Sequence, residues 1–278
     1  MSKNSEYTIR QEQPADFYAV ENLTREAFWN VYRPGCSEHY VLHCYRNHPD
    51  FIPELSLVLE GPANSGGSAG DCSELAGGMP VSSASAMPVA GVESRREILA
   101  HVMFAWSEIL VDADESQAGL AQETCEVAGE AVAGSALTAS EEPREGCEQE
   151  PRRLRMMTFG PISVRPDMQR KGLGKMLLDY ALERARQMGA GCIAMCGNIQ
   201  FYGKCGFVTA TSKGIRYADD PDGDAPYFLI RELTPGFLDG IRGTYRDPAP
   251  YFVDDRDVDA FDKQFPPKEK KVLPGQLF

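Results

Sequence analysis

Between residues 165 and 175 the chain reads Arg-Pro-Asp-Met-Gln-Arg-Lys-Gly-Leu-Gly-Lys. Gly172 and Gly174 lie among three cations, Arg170, Lys171 and Lys175, directly before a long amphipathic run. Anion binding is the chemistry this suits. The first N–H groups of a helix have no intrahelical acceptor, the helix dipole favours negative charge there, and a missing Cβ lets a phosphate approach them. Two well-known phosphate loops do not fit. A P-loop needs glycine at 169, which is Gln, and a hydroxyl at 176, which is Met; the dinucleotide fingerprint needs a third glycine where Leu177 stands.

A second chemical stretch is Phe201-Tyr202-Gly-Lys-Cys-Gly206-Phe207, in which Tyr202 is a phenol able to donate a proton. Cys205 invites a thiol nucleophile, but no His is near it in sequence. A third is the run Cys36, His39, His43, Cys44 and His48, with His39 and His43 one helical turn apart. It lacks a second Cys pair at finger spacing, and Cys192 and Cys196 would stand too far apart along a strand to share an ion, so no metal site is assigned. Glu38, His39, Asp50 and Glu54 are available as bases, and spacing chooses none of them.

Hydrophobic periodicity supplies the elements that must hold these groups. Strands are expected at Tyr7–Arg10, Leu55–Glu60, Ile98–Leu110, Leu154–Val164, Cys192–Cys196, Phe207–Ala210 and Tyr227–Leu233, and helices at Pro14–Phe28, Ser37–Arg46, Gly172–Met188 and Ile199–Cys205. Gly160-Pro161 interrupts the fourth strand and removes a ladder donor, which predicts a bulge or splay there. In the tail, Tyr251–Val253 reads as strand-like and Asp254–Asp257 as an acidic helix start. The order is that of an α/β sheet with helices on both faces.

The 278 residues carry a net charge of −13, and the acidity is local. Residues 61–93 are Gly/Ala/Ser/Pro-rich with three acids and no base; residues 111–150 hold eleven acids against Arg144 alone. Without these two inserts, acids and bases are equal in number. Such a chain has no overall basic face for nucleic acid. No apolar run approaches a membrane span, and the opening Met-Ser-Lys-Asn-Ser-Glu-Tyr lacks the apolar core of a signal peptide, so a cytoplasmic protein with mostly reduced thiols is expected.

With strand, loop, helix and tyrosine in this order, Gln169-x-x-Gly172-x-Gly174 resembles the acyl-CoA pyrophosphate loop of the GNAT superfamily of N-acetyltransferases, and Phe201–Phe207 resembles that family's Phe-Tyr-x-x-x-Gly-Phe signature. Tyr32–His39, His48–Glu54, Phe159–Ser163 and Asp262–Glu269 resemble a bacterial branch of predicted acetyltransferases with undefined substrates. The resemblance implies a mixed, mostly antiparallel sheet with a splayed strand at the acyl-CoA site. It implies that Ile162, Ser163 and Val164 bind the pantetheine arm through their backbone. Gln169, Arg170, Lys171, Gly172, Leu173, Gly174 and Lys175 then form the pyrophosphate loop, Asn198 contacts pantetheine, and Tyr202 is the general acid. Many members carry Asn about seven residues before the tyrosine, whereas Asn198 is four before.

The expectation is therefore an N-acetyltransferase domain over residues 7–235, decorated by the two inserts, with a packed extension over 236–278. Acetyl-CoA is its co-substrate, and an amine-bearing small molecule or protein is its acceptor. The extension is expected to dimerise the chain or to close the acceptor site. Transfer of a longer acyl group, a non-catalytic acyl-CoA-binding or regulatory domain, and a partner-recruiting role of the acidic inserts are the alternatives.

Overall fold

The computed structural model describes residues 6–62, 96–113 and 152–276. The two inserts, and the weak helical potential at 117–133, lie outside the described residues, except for Gly61, Pro62 and residues 111–113 at their borders.

In chain order the elements are β1 (Thr8–Gln11), α1 (Phe17–Phe28), α2 (Glu38–Tyr45), β2 (Leu57–Pro62), β3 (Arg96–Val111), β4 (Arg153–Val164), α3 (Leu173–Gln187), β5 (Cys192–Cys196), α4 (Ile199–Tyr202), β6 (Val208–Thr209), β7 (Ile215–Tyr217), β8 (Phe228–Glu232), β9 (Gly243–Tyr245) and α5 (Asp255–Asp262). The sheet runs β1-β2-β3-β4-β5-β8-β6, and β9 pairs with the far end of β3 and with β7. The pairs are antiparallel except β4–β5 and β7–β9. This is a mixed, mostly antiparallel open sheet with helices on both faces.

Strand alternation divides the sheet into two cores. One face carries Leu57, Leu59, Phe104, Met157 and Ile193, on which α3 lays Leu173, Leu177, Leu178, Ala181, Leu182 and Ala185. That stripe of i, i+3, i+4 residues is what fixes α3, at about 1.5–3 kcal/mol per buried leucine. On the opposite face, Val58, Met103 and Ala105 meet Val20 of α1 and Val41, Leu42 and Tyr45 of α2. Further along that face a second group gathers Met156, Cys192, Ala194, Phe228, Ile230 and Tyr245.

The segment after residue 235 is woven into the body. It supplies β9, and α5 docks on α1 and α2 through Asp262, which accepts from the buried Arg25 guanidinium at 2.6 and 3.1 Å. Trp29 Nε1 donates to the Glu269 carbonyl at 2.9 Å, holding the chain that follows. Tyr251–Val253 differs from expectation. Ala249–Tyr251 is a 3-10 turn started by Pro248 and Pro250, because proline lacks a ladder donor and the turn geometry suits its fixed φ. β7 and β9, three residues each, carry too short a pattern to be read from sequence.

Candidate acyl-transfer site

Opposite Met103, the β3–β4 register jumps from Val102↔Ile162 to Phe104↔Phe159, so Gly160-Pro161 forms a bulge. On the other edge of β4 the parallel ladder to β5 is recorded at Met157↔Ile193, before the bulge. Both expectations for this dipeptide are realised, and together they open a gap between two neighbouring strands. Arg165 donates its N–H to Leu99 of β3 at 2.9 Å. Alternation then turns the N–H and C=O of Ile162 and Val164 the other way, into the gap. Their side chains pack on the α3 core. Ser163 faces α1, where its buried hydroxyl lies 3.0 Å from Thr24 Oγ1, so its side chain is engaged away from the gap.

The loop after β4 closes the end of this gap. Gln169 Nε2 donates to the Val164 carbonyl at 3.1 Å and folds the loop back on its strand. Gly172 precedes α3 at φ +88°, a conformation favoured by glycine, and a Cβ there would meet nothing within 4 Å. Gly174 serves packing: its Cβ would lie 3.2 Å from Val164 Cγ2. The open space above Gly172 and the unpaired first-turn N–H groups form a cradle fit for a phosphate. Arg170, Lys171 and Lys175 are exposed around it, Lys175 paired with Asp179 at 2.5 Å. The Leu173 side chain is buried in the core, which leaves only its backbone to the loop.

Tyr202 ends α4, and Asn198 caps that helix by accepting from Gln200 N–H at 2.8 Å. The Tyr202 ring is held by Phe159, Phe201 and Phe207 at centroid distances of 5.8, 4.8 and 5.9 Å. It lies over Gly197, where a Cβ would sit 2.5 Å from Cε2. Burial raises its pKa, with Tyr32 and Cys205 adding to the shift, so the phenol stays protonated at neutral pH. Strand gap, loop and tyrosine, far apart in sequence, therefore meet at the β4–β5 opening.

The amino-terminal histidines have other work. His39 is fully buried, its Nδ1 3.3 Å from Cys36 Sγ and its Nε2 3.2 Å from Asp262. The geometry is that of a Cys-His-Asp relay, but burial raises the Cys36 thiol and lowers His39 to about 4, so the pair is neutral and inert. His43 faces Glu21 at 3.0 Å, and Arg46 bridges Glu21 and Glu12. Among the described residues no group of three or more metal-ligating side chains converges. Sequence reasoning missed a polar cluster on the α1/α2 side of the sheet. Asp247 accepts from Tyr217 at 2.6 Å and from Tyr245 at 3.0 Å, and Tyr251 donates to the Gly160 carbonyl at 3.2 Å. Only the turn-prone Asp247-Pro248 marked this stretch.

Residues 92–207 match the model of the acetyltransferase (GNAT) family. The fold is that of a GNAT family N-acetyltransferase from Escherichia coli (YhbS) solved with CoA: TM-score 0.54, 15% identity, covering 90% of this chain and 94% of that one. A GNAT family acetyltransferase from Brucella melitensis, solved with acetyl-CoA, gives a TM-score of 0.50 at 17% identity, covering 88% of this chain and 98% of the other. No curated protein matches the chain in sequence. The chain thus shares the mixed sheet of these two structures, and its residues 92–207 are similar to the GNAT acetyltransferase family.

Proposed function

We propose that the protein transfers the acetyl group of acetyl-CoA to an amine acceptor by direct attack. The observation that carries this reading is the β4–β5 opening, with free backbone on one wall, a glycine cradle at one end and a protonated phenol beside it. The thioester supplies an activated acyl group. Ile162 through N–H and C=O, and Val164 through its N–H, bind the pantetheine arm, and Ser163 spaces them. Gln169 holds the loop, Gly172, Leu173, Gly174 and Lys175 present N–H groups to the pyrophosphate, and Arg170 and Lys171 add charge. Asn198, already a cap, is left to contact pantetheine through its amide nitrogen. Tyr202 gives its proton to the departing sulfur. The two GNAT structures solved with CoA and acetyl-CoA support this assignment. Residues 7–235 are the catalytic unit, completed by the segment 236–278. The unbridged cysteines among the described residues support a cytoplasmic setting.

Calorimetric titration with acetyl-CoA tests the reading, using wild type, Gly172→Ala and Gly172→Glu. Both variants carry the same left-handed strain, of the order of 1–2 kcal/mol, and only the second fills the cradle with a carboxylate. Saturable binding by wild type and Gly172→Ala, abolished in a folded Gly172→Glu, is the expected result. Absence of binding to folded wild type sinks the assignment.

A further inference from the structure

The reading above leaves open which group receives the amine. We propose that Asp247 is that group: it binds the acceptor as an ammonium ion and takes one of its protons, inside a tyrosine-lined recess on the α1/α2 face of the β4–β5 opening. The inference rests on the acetyl-transfer reading and places its acceptor site.

The recess is built from five separate parts of the chain. Asp247, half-buried, is held on both oxygens, by Tyr217 from β7 and Tyr245 from β9. Cys196, last residue of β5, shares this face, since Cys192 and Ala194 on the same side of the strand lie in the core with Tyr245. Cys196 is solvent-exposed, and yet its thiol is pushed up to about 12, chiefly by surrounding protein and then by Asp247. Tyr251 joins this cluster to the reacting end of the gap. Its hydroxyl donates to Gly160 of the β4 bulge, and after burial its pKa is raised by Asp247, Cys196 and Tyr202. Tyr45 of α2 backs this contact: its fully buried ring meets Tyr251 at 5.2 Å.

The chemistry of this lining selects a cation. Tyr217 and Tyr227 offer ring faces, with the fully buried Tyr245 stacked behind Tyr217, and Asp219 and Asp220 add negative charge, Asp220 taking the Tyr227 hydroxyl at 3.2 Å. Burial raises the Asp247 carboxyl above its ordinary range, so it is a stronger base than a surface aspartate, while the hydrogen bonds from Tyr217 and Tyr245 act in the opposite direction. The proton count closes. The ammonium passes one proton to Asp247, which frees the nitrogen lone pair; the new C–N bond replaces the C–S bond; Tyr202 protonates the sulfur and is recharged by the second N–H proton. Asp247 then releases its proton to water, one per turnover.

The test compares wild type, Asp247→Asn and Asp247→Glu in the full chain. Acetyl-CoA binding is measured first by calorimetry, then transfer to benzylamine, tyramine, putrescine and a lysine-containing peptide, then calorimetric binding of the best amine to the CoA-saturated protein. Asp247→Asn is expected to keep acetyl-CoA affinity within threefold, lose kcat/KM by at least a hundredfold and lose amine affinity by at least tenfold. Asp247→Glu should recover part of both. The acidic limb of the wild-type kcat/KM profile should disappear in Asp247→Asn. The other groups facing Asp247 are the carboxyl of Asp219 and Tyr217, Tyr245, Tyr251, Cys196 and Tyr45, the last five all raised far above that limb. An Asp219→Asn variant that keeps the limb assigns it to Asp247. Unchanged amine affinity and kcat/KM in folded Asp247→Asn, or acetyl-CoA binding by wild type with no transfer to any of these amines, overturns the proposal and leaves the cofactor reading intact. Failure of wild type to bind acetyl-CoA removes both.

Discussion

At the residue scale, burial fixes the protonation state of Tyr202. A phenol in water would lose its proton near pH 10; this one is displaced upward and stays an acid throughout the physiological range. Tyr202→Phe keeps the ring contacts with Phe159, Phe201 and Phe207 and removes only the proton. We expect kcat to fall about a hundredfold, acetyl-CoA affinity to hold, and stability to change by less than about 1 kcal/mol. Steady-state kinetics beside calorimetry decides; a parallel loss of affinity would mean that the hydroxyl binds rather than donates. The tyrosine was legible in the sequence because the aromatic-glycine pattern around it is short and contiguous. Its surroundings were not, since Phe159 comes from a strand more than forty residues earlier.

At the element scale, α5 is joined to α1 and α2 by one charged contact under an aromatic lid. Arg25 is 1% exposed, stacks at 4.2 Å over Trp29 and spends its guanidinium on Asp262. Phe261 and Phe265 pack around His39 at 5.4 and 5.5 Å. Asp262→Ala leaves the buried Arg25 with only the half-exposed Glu26 at 3.8 Å, which costs about 3 kcal/mol. Denaturant unfolding should show that loss, whereas Asp255→Ala, at an exposed pair with Arg33, should cost less than about 1 kcal/mol. Equal effects would refute the latch. The helices α1, α2 and α3 were readable from apolar periodicity, and α3 begins where Gly172 said it would. That Asp262 meets Arg25 was not readable: the pair is separated by more than two hundred residues and neither carries a periodic signature.

For the whole molecule, two neutral histidines tie stability to pH. His39 and His101 are both fully buried and lowered to about 4, by burial first, with Asp262 and Glu12 respectively acting in the opposite direction. In the unfolded chain they titrate near 6.5, so between about pH 6.5 and 4 the unfolded state binds more protons and stability falls as pH falls. The loss should begin near 6.5, be complete near 4, and reach a few kcal/mol for each histidine. Thermal melts at pH 7.5 and 5 should separate, and His101→Gln should narrow the gap if it stays folded. A melting temperature flat from 7.5 to 5 would contradict the burial.

The sequence by itself determined what depends on neighbours along the chain: the amphipathic stripe of α3, the bulge at Gly160-Pro161, the glycine turn at 172, and the two stretches of biased composition. Each is a local rule, in which a backbone dihedral, a missing donor or a period of 3.6 decides the outcome. Only the tertiary structure decided what faces the β4–β5 opening. It moved His39 from candidate base to buried neutral partner of Cys36, turned Ser163 toward Thr24, and brought Asp247 to Tyr217, Tyr245 and the neighbourhood of Tyr251. Those contacts join residues from separate strands, and whether a carboxylate becomes a base or a lone surface charge depends on the desolvation that such packing imposes.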